Sequence, residues 1–229
     1  MKTSLQEKTK YIDAGSPIAG DLKRIFAGRE DLMILDCGAC DGLDSVIYSR
    51  LFPSAKIYAI EAREDNWLEM FKTFHDFEVE NVKPIRACLD DCSGQSEFFS
   101  SFGDSGHKKE WDTGNKSSSI MEPTGHLSEH AWCKFRREKI DTIRFDALGI
   151  PRIDFIHLDV QGAELKVLGG MGTVLDTVTV IWLEVARVEL YRAQPLARDI
   201  ESFLTGNGFT KNIDTSVGRK FGDQLWVRQ

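Results

Sequence analysis

The chain has 229 residues, and its 36 acidic against 29 basic side chains give a formal charge of −7 at pH 7. No window carries the dense Lys/Arg stripe that neutralises nucleic-acid phosphates, and the longest apolar run, about 178–185, is far short of the roughly 18 residues of a membrane span. Nucleic-acid and membrane partners are therefore not expected. The 41% hydrophobic and 28% charged fractions are those of a folded chain, and one domain over 1–229 is expected, since α/β folds often run to about 250 residues.

The amino-terminal Met-Lys-Thr-Ser-Leu-Gln-Glu-Lys lacks the apolar core of a secretory signal. Five cysteines, Cys37, Cys40, Cys88, Cys92 and Cys133, do not resemble a disulfide framework in a chain of this length. Both features point to a cytoplasmic protein. Residues 1–31, of weak periodicity, are expected to form helices covering the cofactor or substrate side.

Met33-Ile-Leu-Asp-Cys37 reads as a strand, followed by Leu43, Val46, Ile47 and Leu51 at helical spacing. Pro53 and Ser54 end that helix, and 56–61 is the next strand. Residues 64–74 read as a helix with Leu68, Phe71 and Phe74 inward, and 82–87 as a third strand. This alternation implies a parallel sheet with right-handed crossovers. From Ser100 to about Arg137 the pattern dissolves, so 100–138 is expected to be an inserted loop or lid. Order returns over 140–148, with a strand at 153–159, a helix at 164–168 and a strand at 177–184. Leu196, Ile200, Phe203 and Leu204 mark a last helix closed by Gly206 or Gly208, before terminal strands at 209–213 and 224–227.

The densest signal is Leu35-Asp36-Cys37-Gly38-Ala39-Cys40-Asp41-Gly42, between the first strand and its helix. A small-residue turn there lets a ligand approach backbone N–H groups at a helix N-terminus, in the crevice where doubly wound sheets bind ligands. Gly38 and Gly42 are spaced G-x-x-x-G, not the G-x-G-x-x-G of dinucleotide binders. Asp36 would also put negative charge beside a pyrophosphate, so the carboxylates suit a ligand carrying an ammonium or sulfonium and no phosphate. Glu61 ends the second strand, where a carboxylate can accept two ribose hydroxyls. Together these features describe an S-adenosylmethionine site; the competing reading is an α/β domain with a glycine turn and surface acids.

The segment Ile153-Asp-Phe-Ile-His-Leu-Asp-Val-Gln-Gly-Ala-Glu-Leu-Lys-Val-Leu-Gly-Gly170 resembles the signature of FkbM-type methyltransferases, D-x-[IL]-K-[IL]-D-[VIT]-E-G-x-E-x-x-[VA]-L-x-G. Asp154, Asp159, Gly162, Glu164, Leu168 and Gly170 fall in register. The glycine loop resembles that family's D-[VI]-G-A-x-x-G, Glu61-Ala62-Arg63-Glu64-Asp65-Asn66 its F-E-P-x-P-x-N strand end, and Ser117-Ser118-Ser119-Ile120 its S-S-L element. The chain departs at His157, where the family usually has Lys, and at Gln161, where it usually has Glu, which changes the charge at the substrate end.

The resemblance implies a class I methyltransferase fold: a Rossmann-like, doubly wound, three-layer α/β/α arrangement whose mostly parallel seven-stranded sheet has one antiparallel strand. It also implies methyl transfer from S-adenosylmethionine to oxygen, with S-adenosylhomocysteine as product. Carried over, Asp36, Gly38, Ala39, Asp41 and Gly42 would line the methionine end of the cofactor. Glu61 and Ala62 would meet the ribose with Asn66 nearby, and Ala87, Cys88, Leu89 and Asp90 would neighbour the adenine.

Such a reaction needs an oxygen aligned with an activated carbon and a group to take its proton. Asp159, at a strand end and also beside the cofactor, is the first candidate for positioning or base. His157 fits by its ordinary pKa of about 6.5, but it lies deeper on the same strand face, which favours a satisfied core histidine. Glu184, ending the next strand, could join Asp159 on Mg²⁺; two carboxylates are too weak a motif, and no metal is assigned. Cys37-Gly-Ala-Cys40 is read as part of the turn rather than as redox chemistry. His126, His130 and Cys133 would share a helical face with metal-like spacing, although a substrate-contacting or solvated helix is favoured over zinc. Trp111, Trp132 and Phe135 could stack on a substrate, and the basic stretch 134–139 could meet an anionic one. The expected function is O-methylation of a small-molecule or glycoside hydroxyl, with a homo-oligomer left open. The alternatives are an N-methyltransferase acting on a small amine, or a cofactor-binding module without catalysis.

Overall fold

The structure, a computed structural model, describes residues 4–103 and 114–229. The chain begins with α1 (Leu5–Ala14), α2 (Ala19–Ile25), β1 (Met33–Cys37), α3 (Leu43–Leu51), β2 (Lys56–Glu61), α4 (Glu64–Asp76) and β3 (Val82–Arg86). It continues through β4 (Cys88–Leu89), β5 (Gly94–Gly103), α5 (Gly125–Glu129) and β6 (Cys133–Ile143). Then come β7 (Phe155–Leu158), α6 (Glu164–Gly169), β8 (Val180–Ala186), α7 (Ala197–Gly206), β9 (Phe209–Asp214) and β10 (Phe221–Arg228).

One seven-stranded sheet runs in the order β3-β2-β1-β7-β8-β10-β9, and β10 is antiparallel to both neighbours. This is the class I methyltransferase arrangement, an α/β Rossmann-like fold. The order reverses between β1 and β7, so a crevice opens at their carboxyl ends. Central strands buried on both faces need apolar runs, and Ile34 and Leu35 are indeed fully buried. Leu35, Cys37, Ile156, Leu158 and Ile181 pack on the side of α6 and α7. Ile34, Phe155, Val180 and Trp182 pack on the side of α2 and of Tyr48 from α3.

The expected helix 64–74 forms, but its buried face is shifted. Asn66, Met70, Thr73 and Phe74 point inward, whereas Leu68 and Phe71 are 49% and 43% exposed. Polar residues occupy the inner stripe because each has a partner there: buried Lys8 of α1 donates to the Thr73 hydroxyl at 2.7 Å.

The segment expected to be a loop from Ser100 to 138 is framed by strands. β5 and β6 form a continuous antiparallel ladder from Gly94↔Thr142 to Gly103↔Cys133, in a small second sheet β4-β6-β5. Most of β6 is exposed, so it lacks the apolar alternation by which a strand is recognised. Strand β8 starts later than expected, because a 3-10 turn takes up Gly172–Thr177. Among the described residues no helix is long and apolar enough to cross a membrane.

Candidate active site

The turn after β1 is built around a close approach. Gly38 has φ +82°, and a Cβ there would lie 1.8 Å from the carbonyl oxygen of Asp159; only glycine allows both the conformation and the contact. The Gly38 and Ala39 amides both donate to the Ile60 carbonyl at 3.0 Å. The Cys40 amide donates to Glu61 Oε2 at 2.9 Å, and the Arg63 amide to Oε1 at 2.7 Å. Burial pushes the Glu61 carboxyl up to about 7 despite those two donors.

A cleft opens beside this turn. Of the expected cofactor residues, Gly38, Glu61, Ala62, Asn66, Cys88, Leu89 and Asp159 are in its wall. Asp36, Ala39, Asp41, Gly42 and Asp90 are not. The Asp36 carboxylate points to the α3 side, where it accepts from the Ser45 hydroxyl and faces His157 Nδ1 at 3.0 Å. Ala39 packs in one cluster with Met70 and Phe74 of α4, and a Cβ at Gly42 would meet the same two side chains. Asp90 accepts from Lys166 at 2.9 Å and Ser96 at 3.1 Å, a contact that ties β4 to α6.

The far wall comes from the insertion. The Asn115 side-chain amide donates to Asn66 Oδ1 at 2.6 Å, and the Asn66 amide donates back to the Asn115 backbone carbonyl at 3.3 Å. Arg63 donates to Ser118 Oγ at 3.1 Å and to the Ser101 carbonyl, and the Ser119 and Phe99 backbones pair in both directions. Ser117-Ser118-Ser119 thus seals the cleft to β5. The contributions of Arg63 and Asn115 had no signal in the sequence, because both depend on the fold of the insertion.

Beyond the Asp159 side of the cleft Leu158 pairs with Leu183, which sets Asp159 beside Glu184. Gln161 Nε2 donates to Asp159 Oδ1 at 2.6 Å and to Glu184 Oε2 at 3.1 Å. Burial, then the charges of Asp159, Glu164 and Asp223, hold the Glu184 carboxyl well above its ordinary value. One amide donor thus bridges the two acids. Among the described residues, the one group of three carboxylate or thiol ligands close enough for a metal is Asp90, Asp91 and Cys92, and Lys166 bridges its two acids.

His157 is not a free base. Burial opposes its charge, but the hydrogen bond and charge of Asp36, with Asp44 and Asp159, outweigh it and raise the imidazole to about 9. At neutral pH it is therefore a cation within the sheet, with its ring edge-on to Tyr48 at 5.6 Å.

The expected helical face of His126, His130 and Cys133 does not form. Helix α5 stops at Glu129, His130 caps it, and Cys133 begins β6. The buried His126 ring packs on Phe135, Tyr191 and His130, and burial lowers it to about 4. Trp132 and Phe135 do not reach the cleft wall, and Trp111 lies outside the described residues. Cys37 and Cys40 are both free.

The cleft thus offers a glycine cradle, a buried carboxylate at the end of β2 and a second carboxylate across from it, with Lys116 as the one cation in its wall among the described residues. That donor set fits a nucleoside bearing a cationic tail and does not fit a polyphosphate.

The profile of the methyltransferase FkbM domain matches residues 36–211. NoeI of Sinorhizobium fredii, a 2-O-methyltransferase, is 32% identical over 181 residues, 77% of this chain and 72% of that protein. A proposed caffeoyl-CoA O-methyltransferase from Staphylococcus aureus superposes with a TM-score of 0.53 at 9% identity, covering 100% of this chain and 93% of that one. The N-terminal domain of EvdMO1 with S-adenosylhomocysteine bound superposes with a TM-score of 0.50 at 12% identity, covering 96% and 80%. At those identities the likeness of the two structures is one of fold.

Proposed function

Because the chain belongs to the FkbM methyltransferase family, we propose that this S-adenosylmethionine-dependent enzyme methylates a hydroxyl oxygen of a small molecule or glycoside. One observation carries this reading: Glu61 and Asp159 face one cleft, from strand ends on either side of the glycine turn. The 2-O-methyltransferase relative supports oxygen as the acceptor atom.

S-adenosylmethionine supplies, when bound, a methyl carbon already activated by its sulfonium. Glu61 holds the ribose hydroxyls, Gly38 leaves room for the chain of the cofactor, Asn66 lies beside the ribose, and Cys88 and Leu89 flank the adenine. Asp159 orients the acceptor hydroxyl and takes its proton as the new oxygen–carbon bond forms and the carbon–sulfur bond breaks. Oδ2 of Asp159 is available for this, since its hydrogen bond from Gln161 is made through Oδ1. The positive His157 lies one step deeper and stabilises the charge of this edge. Residues 1–229 act as one methyltransferase domain, in which α1 closes the acceptor side through Tyr11, whose hydroxyl donates to Asp44 at 3.1 Å. The free cysteines suit a reducing, cytoplasmic setting.

Isothermal titration with S-adenosylhomocysteine tests the cofactor half: binding is expected, and its absence would overturn the reading. Mass spectrometry of a panel of methyl glycosides, simple alcohols and amines incubated with S-adenosylmethionine tests the acceptor half. Methylation confined to the amines would replace the oxygen assignment with nitrogen.

A further inference from the structure

We propose that Gln161 is a positioning residue of the methyl transfer: its side-chain amide, oriented by the Tyr191 hydroxyl, fixes Asp159 and Glu184 so that Asp159 presents its second oxygen to the acceptor. The inference rests on the reading of Asp159 as the group that receives the acceptor proton.

Three observations carry it. Each hydrogen of the Gln161 amide goes to a different acid, Asp159 Oδ1 at 2.6 Å and Glu184 Oε2 at 3.1 Å. The Tyr191 hydroxyl shares its one hydrogen between the Ser117 carbonyl at 2.9 Å and Gln161 Oε1 at 3.2 Å, and the amide keeps one orientation chiefly because a flip would set its oxygen against two carboxyl groups. Gln161 also holds φ +55°, a conformation that costs a non-glycine residue free energy and persists where the surroundings over-determine it.

Those surroundings can be named. The Val160 and Gly162 amides both donate to Glu164 Oε1, at 3.2 and 3.1 Å, which clamps the backbone on each side of Gln161. Gln194 Oε1 accepts the Leu190 and Tyr191 amides, both at 2.7 Å, which sets Tyr191. Tyr191 is 1% exposed, so its hydroxyl cannot exchange the amide for bulk water. The Ser117 carbonyl connects the same hydroxyl to the wall of the insertion, and the acids at the reaction centre and the insertion thereby share one hydrogen-bond chain. An amide suits this place because it gives two donors at no net charge, between acids that Asp223 and Glu164 already crowd.

The test uses full-length protein carrying Gln161→Met, which keeps the length of the side chain and removes its donors. A second variant, Gln161→Glu, guards against misfolding of the first. With any methyl glycoside the enzyme turns over, Gln161→Met is expected to lower kcat about 10–100-fold, the cost of a slightly misplaced reacting group, with KM and the Kd for S-adenosylhomocysteine within about threefold. Tyr191→Phe, which loses one neutral hydrogen bond, is expected to lower kcat about 2–10-fold. Gln161→Glu should recover activity as pH falls, when the introduced carboxyl regains a proton to donate. In the S-adenosylhomocysteine complex, the ¹³C carboxyl resonance of Glu184 should titrate about one pH unit higher in Gln161→Met. A kcat within twofold in both Gln161 variants, or an unmoved Glu184 titration, overturns the proposal. If the protein binds S-adenosylhomocysteine but methylates no glycoside, the acceptor reading fails on its own and the Glu184 titration decides the positioning role.

Discussion

His157 and Asp36 stand opposite each other on the neighbouring parallel strands β7 and β1, and Nδ1 and Oδ1 meet at 3.0 Å on the face covered by α3. The pair has two consequences for the site. Asp36 is taken up by His157 and Ser45 and so is withdrawn from the cleft, while His157 is held as a cation and so cannot serve as a base.

The first prediction concerns stability against pH. His157 is raised from 6.5 to about 9, so the folded state binds its proton more tightly. The stabilisation is complete below pH 6.5 and is lost as pH rises through about 9. Glu61 and Glu164, raised to about 7, and Glu184, also raised, slope the same way, so between pH 7.5 and 9 the part that belongs to His157 is the difference between the unsubstituted protein and a His157 variant. That part should lower the unfolding free energy by roughly 2 kcal/mol. Urea unfolding at several pH values should show the slope, and His157→Gln should lessen it; an equal slope in both proteins would contradict the ion pair.

Where the chain buries apolar residues on both faces, its fold could be read in advance: the bounds of β1 and β2 follow from uninterrupted apolar runs closed by Asp-Cys-Gly and by Glu61. The same criterion fails for β6, whose Lys134, Arg136 and Lys139 face solvent and whose pairing with β5 is long-range. It also misplaces the inner face of α4, because Thr73 is buried for the sake of Lys8. The site divides in the same way. Gly38, Glu61 and Asp159 occur at sequence positions that topology alone brings together, at the carboxyl ends of adjacent strands. The bridge from Tyr191 through Gln161 to Glu184 joins residues from three separate segments, and only the folded loops create it.

The second prediction concerns cofactor binding. Glu61 accepts hydrogen bonds best as a carboxylate, and burial raises it to about 7. Affinity for S-adenosylhomocysteine should therefore strengthen as pH rises from 6 to 8. Glu61→Gln should bind about tenfold more weakly, the loss expected for one charge-assisted hydrogen bond, and should show little dependence on pH across that range. Calorimetry at three pH values compares the two.

The third concerns the cysteines. Burial, then Asp36 and Asp41 respectively, keep the Cys37 and Cys40 thiols protonated, and a protonated thiol is a poor nucleophile. Iodoacetamide at pH 7.5 should label exposed Cys92 first. Cys40, in the cleft wall, should label more slowly and be protected by S-adenosylhomocysteine. Peptide mass mapping over time gives the order, and a fast Cys37–Cys40 disulfide under mild oxidant would argue for redox chemistry instead.

The last prediction separates backbone strain from steric exclusion. Gly28 and Gly38 have nearly the same left-handed φ, +77° and +82°, but a Cβ at Gly28 meets nothing within 4 Å, whereas one at Gly38 lies 1.8 Å from the Asp159 carbonyl oxygen. Gly28→Ala bears only the conformational cost, about 1–2 kcal/mol, and should leave affinity for S-adenosylhomocysteine unchanged. Gly38→Ala must also push β1 and β7 apart at the point where Glu61 and Asp159 face the cleft. It should lower thermal stability more than Gly28→Ala and weaken S-adenosylhomocysteine binding at least about tenfold, since reacting and binding groups displaced by an ångström lose most of their advantage. Thermal melts and calorimetry on the two variants distinguish the effects: equal losses would mean that the close approach of the two strands does not shape the site.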